Sequence, residues 1–473
     1  MHRFLVWLTL LVLAACGGGE EPPGPPAALE DLSGASLTGT VGRELANPLR
    51  VRVTDGDGRG VPGVAVNFTV TAGGGLITQI PVATASSGVL FSVAAVVDST
   101  DANGESQARW TLGTGAGEQR ASVTVAGAPT LNITAQATTD EPADLVFAPG
   151  SAFIGIAGQP ADGAIIARVA DQFGNPVEGI TVTWAAVEGG GSVGVATSET
   201  NASGNAETTV ILGPAQGLHL YTASAAGLGP DTSGLVAVVG ETDPTGDAFD
   251  TGSADFPSHD VTFFGGAVVE NVVVFHFRFT GPVAPMSTSG PDPNNALLAY
   301  LEFDTDQDST TGFWPLRRCA ELDSLGLGVD LFIDLDPTSF LLQFVANPPP
   351  GAVPVTQVVS LTSNERCDFS QEFSGTVAAT VPAYRGSTVS LAAPLSVFAG
   401  EPVFDFTSLF INFAAPALTD IVPDSLPYTF DLSTTTASRA APSTGRARYL
   451  PEQFAFPPVS SGLSVLRRPG GGR

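Results

Sequence analysis

Residues 167–184, ARVADQFGNPVEGITVTW, have the pattern of a strand, a tight turn and a second strand. An earlier stretch at 51–70, VRVTDGDGRGVPGVAVNFTV, has the same pattern. The apolar residues of its second strand alternate with others, at Val64, Val66, Phe68 and Val70. A period of two directs one face of a strand towards a core, so both stretches predict β-structure. The aspartates of the two turns, Asp55, Asp57 and Asp171, are predicted to cap their own backbone rather than to bind metal.

These two stretches begin a longer repeat. The triplet Gly73–Gly75 is matched by Gly189–Gly191 at an offset of 116 residues, and the turn Asp101–Gly104 is matched by Asn201–Gly204 at an offset of 100. The first copy therefore carries about 16 additional residues, which fall within 78–100. An insertion of this kind is typical of a loop or an edge hairpin.

The repeated pattern, V-x-D-x-x-G-x-P-V-x-G-V-x-V-x-F/W followed by GGG, an Asn-Gly or Ser-Gly turn and Leu-Gly, resembles bacterial Ig-like domains of group 1, the invasin and intimin type. The resemblance covers residues 29–139 as a first domain and 140–241 as a second. It implies two tandem Ig-like β-sandwiches that act as spacers or adhesive modules at a cell surface and contain no catalytic residues.

The composition changes near residue 240. Residues 243–433 contain 20 of the 28 phenylalanines, which indicates a different domain with a bulkier core. We predict a larger β-sandwich or jelly roll over 242–433, so the whole chain belongs to the all-β class. Val272–Phe279 alternates in the manner of a half-buried strand, with Phe275, Phe277 and Phe279 inward and His276 on the solvent face. This domain more weakly resembles DOMON-like and carbohydrate-binding β-sandwiches of exported bacterial proteins.

The N-terminus predicts export and anchoring. One arginine precedes an apolar run that is too short to span a bilayer, and Leu13-Ala14-Ala15-Cys16 follows directly. This resembles the lipobox of bacterial lipoproteins, so residues 1–15 are predicted to be a signal peptide and Cys16 to be lipidated. Residues 16–28, rich in Gly and Pro, form a flexible tether. The predicted location is the bacterial cell envelope, either on the outer membrane facing outward or in the periplasm.

Charge and cysteine content limit the alternatives. The net charge of −28 argues against a nucleic-acid partner, which requires a basic surface. Residues 434–473 are the exception, because they form a basic, low-complexity tail. Cys319 and Cys367 lie in the exported part, where an oxidising environment favours a disulfide between them.

The sharpest candidate for a site is DTDQDSTTG at 304–312. Asp304, Asp306 and Asp308 are spaced so that their carboxylates can converge on one Ca²⁺. Further ligands are expected from Asp330, Asp334 or Asp336, or from Asp247 and Asp250. The stretch is not an EF-hand, because Ser309 and Pro315 occupy the positions of its glycine and its bidentate glutamate. A solvated acidic turn is the alternative that the sequence leaves open.

Two functions of different classes fit these features. The first is a non-enzymatic surface lipoprotein whose Ig-like stalk displays a binding head for a glycan or protein ligand. The second is an exported, glycan-active hydrolase that uses the Ig-like domains as accessory modules. The sequence favours the first function, because it lacks a recognisable catalytic constellation of Ser, His or Cys.

Overall fold

In the computed structural model, the residues described are 22–34, 36–80, 93–245, 260–284, 297–310, 326–334, 356–360, 378–380, 382–398, 402–412, 417–423 and 427–433. Several predictions lie outside these residues: the signal peptide, Cys16, the Cys319–Cys367 disulfide, Asp247, Asp250, Asp336 and the basic tail. Strands account for 58% of the described residues and helix for 1%, so the regular secondary structure is almost entirely β, which confirms the all-β class. None of their helical segments is long and apolar enough to cross a membrane.

The first compact unit comprises Met1–Pro142 together with Asp171–Asn175. It is a sandwich of a four-stranded sheet, in the order β1-β3-β7-β5, and a five-stranded sheet, in the order β2-β9-β8-β4-β6. Its strands are β1 (Ala28–Asp31), β2 (Leu37–Thr40), β3 (Leu49–Thr54), β4 (Ala65–Ala72), β5 (Leu76–Gln79), β6 (Ala95–Ser99), β7 (Glu105–Thr111), β8 (Gly117–Thr124) and β9 (Leu131–Thr138).

The core of this unit follows from alternation along the strands. Leu49, Val51 and Val53 on β3 are fully buried, and so are Phe68 on β4 and Trp110 on β7. Burying a large apolar side chain contributes about 1.5–3 kcal/mol, so these positions supply much of the stability of the sandwich.

The second compact unit comprises Ala143–Ala170 and Pro176–Arg473. Its N-terminal part is the second Ig-like domain. The strands of this domain are β10 (Pro142–Phe147), β11 (Ile154–Ile156), β12 (Pro160–Asp171), β13 (Thr181–Ala186), β14 (Ser192–Val193), β15 (Thr197–Glu199), β16 (Asn205–Ile211), β17 (Gly217–Ala225) and β18 (Asp231–Glu241).

Strand order confirms the repeat. The sheet β10-β12-β16-β14 reproduces β1-β3-β7-β5, and β11 pairs in parallel with β18 as β2 does with β9. The predicted insertion lies between β5 and β6, which are separated by residues 80–94, whereas only residues 194–196 separate β14 from β15. The backbones of Gly73, Gly74, Gly189 and Gly190 all have positive φ, a conformation that favours glycine.

The C-terminal domain is a sandwich of two sheets around a phenylalanine-rich core. Its strands are β19 (Val261–Val269), β20 (Val272–Phe279), β21 (Leu297–Asp304), β22 (Leu331–Asp334), β23 (Thr356–Ser360), β24 (Ala378–Thr380), β25 (Ala383–Arg385), β26 (Thr388–Pro394), β27 (Val403–Asn412), β28 (Ala417–Val422) and β29 (Tyr428–Asp431). One sheet is seven-stranded and contains β21, β22 and β27. The other sheet contains β19, β20, β26 and β25.

That second sheet does not end at the predicted domain boundary. Strand β18 of the Ig-like domain pairs with β19 through Val239↔Gly266 and Glu241↔Phe264, so one nine-stranded sheet runs from β15 to β25. A shared apolar cluster covers this junction: Ile154, Val236, Val238, Phe263, Ala267, Val269, Val274 and Ala392. The second Ig-like domain and the C-terminal domain are therefore fused through both backbone hydrogen bonds and a core.

Candidate metal centre

The candidate site lies where β21 ends. Along this strand Leu297, Ala299, Leu301 and Phe303 are buried in the phenylalanine-rich core. The pleat of the strand directs Asp304 to the opposite face. Strand β22 pairs with β21 through Phe303↔Leu331, and Asp330 N donates to Phe303 O at 2.9 Å. The sheet register thus brings Asp330 beside Asp304, although 25 residues separate them in the chain.

Three carboxylates meet at this position. Asp304, Asp306 and Asp330 each offer one oxygen that lies within 4.8 Å of the other two. Asp330 Oδ2 accepts hydrogen bonds from Thr305 N at 3.0 Å and Thr305 Oγ1 at 3.1 Å. Thr305 thereby links the turn after β21 to the residue that precedes β22.

Asp304 is the buried member of the group, with 2% of its surface exposed. Its Oδ2 accepts a hydrogen bond from Gly328 N at 3.1 Å, whereas its Oδ1 is buried and has no donor. A buried charged oxygen without a partner is costly, by about 1–3 kcal/mol or more. Such an atom requires a compensating proton or cation.

The electrostatics of the group favour a positive charge among the three carboxylates. Burial, together with smaller contributions from the neighbouring Asp306 and Asp330, raises the pKa of Asp304 to about 7 against the opposing hydrogen bond from Gly328. Burial also raises the pKa of Asp330, with Asp306 adding to the effect, while hydrogen bonds from Thr305 oppose it. The raised pKa values of Asp304 and Asp330 both indicate carboxylates that repel one another.

Of the other predicted ligands, the structure describes Asp308 and the backbone of Asp334. Asp308 is exposed and does not belong to the three-carboxylate group, because its Oδ1 accepts from Thr310 N at 2.9 Å and from Thr310 Oγ1 at 2.6 Å. Asp334 has its backbone opposite Tyr300, four residues along β21 from Asp304. The structure therefore brings together two of the three primary candidates and one of the secondary ones.

The prediction for His276 was wrong. Only 1% of this side chain is exposed, because β20 lies inside the nine-stranded sheet and both of its faces are covered. The phenylalanine-rich core covers one face, and the shared cluster with the Ig-like domain covers the other. His276 Nδ1 lies 2.7 Å from Ser390 Oγ, whereas Nε2 is buried without a partner. Burial, with a smaller contribution from Arg278, lowers the pKa of His276 to about 3.

His219 has a structural role that the sequence reasoning missed. Its Nδ1 accepts from Gly213 N at 3.1 Å, and its Nε2 lies 3.0 Å from Ala215 O. In the first domain Gln119 makes the same two contacts, with Gly113 N at 2.7 Å and Gly115 O at 2.9 Å. The repeat offset of 100 residues relates these two side chains and was the available signal.

Asp55 and Asp171 cap the backbone of their turns as predicted, whereas Asp57 Oδ2 accepts from Arg59 Nη2 at 2.9 Å. Asp55 Oδ1 accepts from Asp57 N at 3.0 Å, and Asp171 Oδ1 accepts from Phe173 N at 2.9 Å. Their Oδ2 atoms accept from the chain that enters each domain, namely from Gly24 N at 2.8 Å and Asp140 N at 3.0 Å. Each turn therefore also fixes the segment before the first strand.

These features define an all-β protein with two tandem Ig-like sandwiches and a larger C-terminal sandwich. Residues 157–229 match the family described as bacterial Ig-like domain (group 1), and this segment is a domain of that family. No curated protein matches the chain at a significant level.

Several solved structures of bacterial surface proteins are similar to parts of the chain. The Escherichia coli adhesin FdeC has 13% identity and a TM-score of 0.32, over 84% of this chain and 98% of its own. Invasin, a bacterial integrin-binding protein, has 14% identity and a TM-score of 0.23, over 85% and 60% of the two chains. The Yersinia pseudotuberculosis adhesin InvE has 18% identity and a TM-score of 0.22, over 50% and 66%.

Proposed function

We propose that the chain is a non-enzymatic lipoprotein of the bacterial cell envelope that presents its C-terminal sandwich as a binding head for a surface glycan or protein. The observation that carries this proposal is the match of residues 157–229 to group 1 bacterial Ig-like domains, together with the same strand order in the preceding domain. Tandem copies of such a domain suit a spacer, since they contribute length and a stable surface rather than a reactive cleft.

The attachment of the head supports presentation of a ligand site. The shared sheet and apolar cluster fix the head to the second Ig-like domain, and Arg278 pairs with Asp162 at 3.2 Å beside them. Arg385 also lies over the ring of Phe153, 4.2 Å from its centre. A head held by this many contacts keeps one orientation on the domain that carries it, which lowers the entropic cost of binding.

The hydrolase alternative has one candidate pair among the described residues, and burial argues against it. A serine hydroxyl beside an imidazole is the pairing used in nucleophilic catalysis, as in Ser390 with His276. Both side chains are buried, at 5% and 1% exposure, beneath the junction with the Ig-like domain. A substrate cannot reach this hydroxyl without separating the shared sheet, so a binding function is the better proposal.

The anchor can be tested in cells that express the full chain with a radioactive fatty acid in the medium. We expect label on the natural chain and none on Cys16→Ser. Cys319→Ser is the matched control, because it removes a cysteine that the anchor does not use, and it should keep the label. Label that persists on Cys16→Ser would contradict the lipid anchor.

The binding head can be tested by probing a glycan array and an array of host surface proteins with the full chain. Hydrogen exchange of the chain with its bound partner should then show protection within the head, for example in residues 297–310. Protection confined to 29–139 would contradict the assignment of the head. Release of cleaved glycan, detected by mass spectrometry, would favour the hydrolase instead.

A further inference from the structure

We propose that Asp304, Asp306 and Asp330 bind a Ca²⁺ ion that joins the end of β21 to the start of β22. The first argument is distance. Calcium lies about 2.4 Å from each oxygen ligand, so two of its ligands are at most about 4.8 Å apart. One oxygen from each of the three carboxylates meets this limit, since all lie within 4.8 Å of one another. A single ion therefore reaches the whole group.

The second argument is the condition of Asp304, which is independent of the clustering. Its side chain is 98% removed from solvent, and its Oδ1 has no hydrogen-bond donor. Proteins rarely retain a buried charged oxygen without compensation, because the loss of hydration is not recovered. A cation held by the three carboxylates supplies that compensation and removes their mutual repulsion.

The third argument concerns the identity of the ion. The ligand set consists only of carboxylate oxygens, which hard cations prefer over the imidazole and thiolate ligands typical of zinc. Calcium accepts six to eight oxygens in a flexible geometry, and a turn joined to a distant strand suits that tolerance better than the strict octahedron of magnesium. Backbone carbonyls and water would complete the shell.

The position of the group indicates what the ion does. Asp304 is the last residue of β21, Asp306 lies in the turn that follows it, and Asp330 immediately precedes β22. An ion at this position crosslinks two segments that are distant in sequence, and it stabilises the pairing of β21 with β22 inside the seven-stranded sheet. The proposal does not depend on the surface-binding function, so either one can fail without the other.

The test uses the full chain after treatment with EDTA, followed by calorimetric titration with CaCl₂ and thermal melting with and without calcium. We expect one ion per chain and an increase in the melting temperature of roughly 5–10 °C at a calcium concentration about 100 times Kd. Asp304→Asn and Asp330→Asn should weaken binding by about tenfold or more, because carboxylate count sets affinity. Asp308→Asn is the matched control, since it removes a charge from the same turn outside the group, and it should bind normally.

A second measurement separates a ligand from a merely structural residue. Without calcium, Asp304→Asn should melt at the same temperature as the natural chain or higher, because the substitution removes a buried charge that the apo protein must tolerate. A structural role for Asp304 predicts lower stability instead. The proposal is overturned if titration with calcium produces no heat of binding and calcium leaves the melting temperature unchanged. It is also overturned if Asp308→Asn weakens binding as much as Asp304→Asn. An equal response to magnesium would overturn the choice of calcium.

Discussion

The fusion of the second Ig-like domain to the head makes a prediction about Phe263→Ala. Phe263 is 5% exposed and belongs to the apolar cluster that contains residues of both domains, including Ile154 and Val236. Truncation of a buried phenylalanine costs about 3–5 kcal/mol. Since each 1.4 kcal/mol is a tenfold change, the slowest amides should exchange about two to nearly four orders of magnitude faster.

The test is which strands show this faster amide exchange. Hydrogen exchange of the full chain, measured by mass spectrometry, should show the same acceleration in β17 of the Ig-like domain and in β20 of the head. Strands of the first unit, such as β7, should not change. Phe68→Ala is the matched control, because it truncates a fully buried phenylalanine of the first unit. It should accelerate exchange in β7 and leave β17 and β20 unchanged. If Phe263→Ala accelerates β20 while β17 keeps its natural rate, the two domains unfold separately and the reasoning is wrong.

Three further predictions concern individual residues. His276 stays neutral in the folded protein, with its pKa lowered to about 3, whereas the unfolded residue gains a proton near pH 6.5. Stability should therefore be complete above pH 6.5 and fall below it by at most about 1.4 kcal/mol per pH unit, and His276→Asn should flatten this part of a urea-midpoint profile. A Cβ on Gly113 would lie 1.7 Å from the carbonyl oxygen of Gly73, whereas one on Gly115 would meet nothing within 4 Å. Gly113→Ala should thus cost at least about 1–3 kcal/mol by denaturant titration, and an equal effect of Gly115→Ala would contradict the steric argument. Burial raises the pKa of Asp171, but hydrogen bonds, the largest from the Asn175 side chain, lower it below 3.8 overall. The stabilisation is present above that pH and is lost as the pH falls further, so Asp171→Ala should remove its own share of the acid-dependent loss in the same urea-midpoint profile, while the shares of Asp55 and Asp101 remain.

The Ig-like repeat could be predicted because its signals are local. Alternation assigned the strands, and the glycine triplets and Asn-Gly turns mark backbone conformations that few other residues adopt. Core details were not predictable in the same way. The first domain buries Trp110 on β7 opposite Phe68 on β4, whereas the second has Val210 and Trp184 at the corresponding positions. The tryptophan therefore lies in the four-stranded sheet of the first domain and in the other sheet of the second domain, a difference that only packing reveals.

The prediction for His276 failed for a different reason. Alternation correctly identified Phe275, Phe277 and Phe279 as one face of β20. It could not show that a neighbouring domain covers the other face, because that cover comes from residues of the Ig-like domain that are distant in sequence, such as Ile154 and Val236. A polar residue in an alternating strand is a solvent-face residue only if nothing packs there. Strand β18 continues past its own domain and pairs with β19. Residues of the Ig-like domain therefore pack on this face of β20, and His276 does not reach solvent.

The acidic turn shows the same limit of local patterns, here for the identity of a neighbouring carboxylate. Spacing grouped Asp304 with Asp306 and Asp308, since all three follow one strand within five residues. In the structure Asp308 caps Thr310, and the third carboxylate comes from Asp330. The register of β22 on β21 fixes that neighbour, whereas alternation within one strand shows only which face a residue occupies and not its partner on a distant strand. If the calcium proposal holds, the ion should therefore report on strand pairing. A substitution that weakens the pairing of β22, far from any carboxylate, should reduce calcium affinity, whereas the same loss of stability in the first Ig-like domain should not.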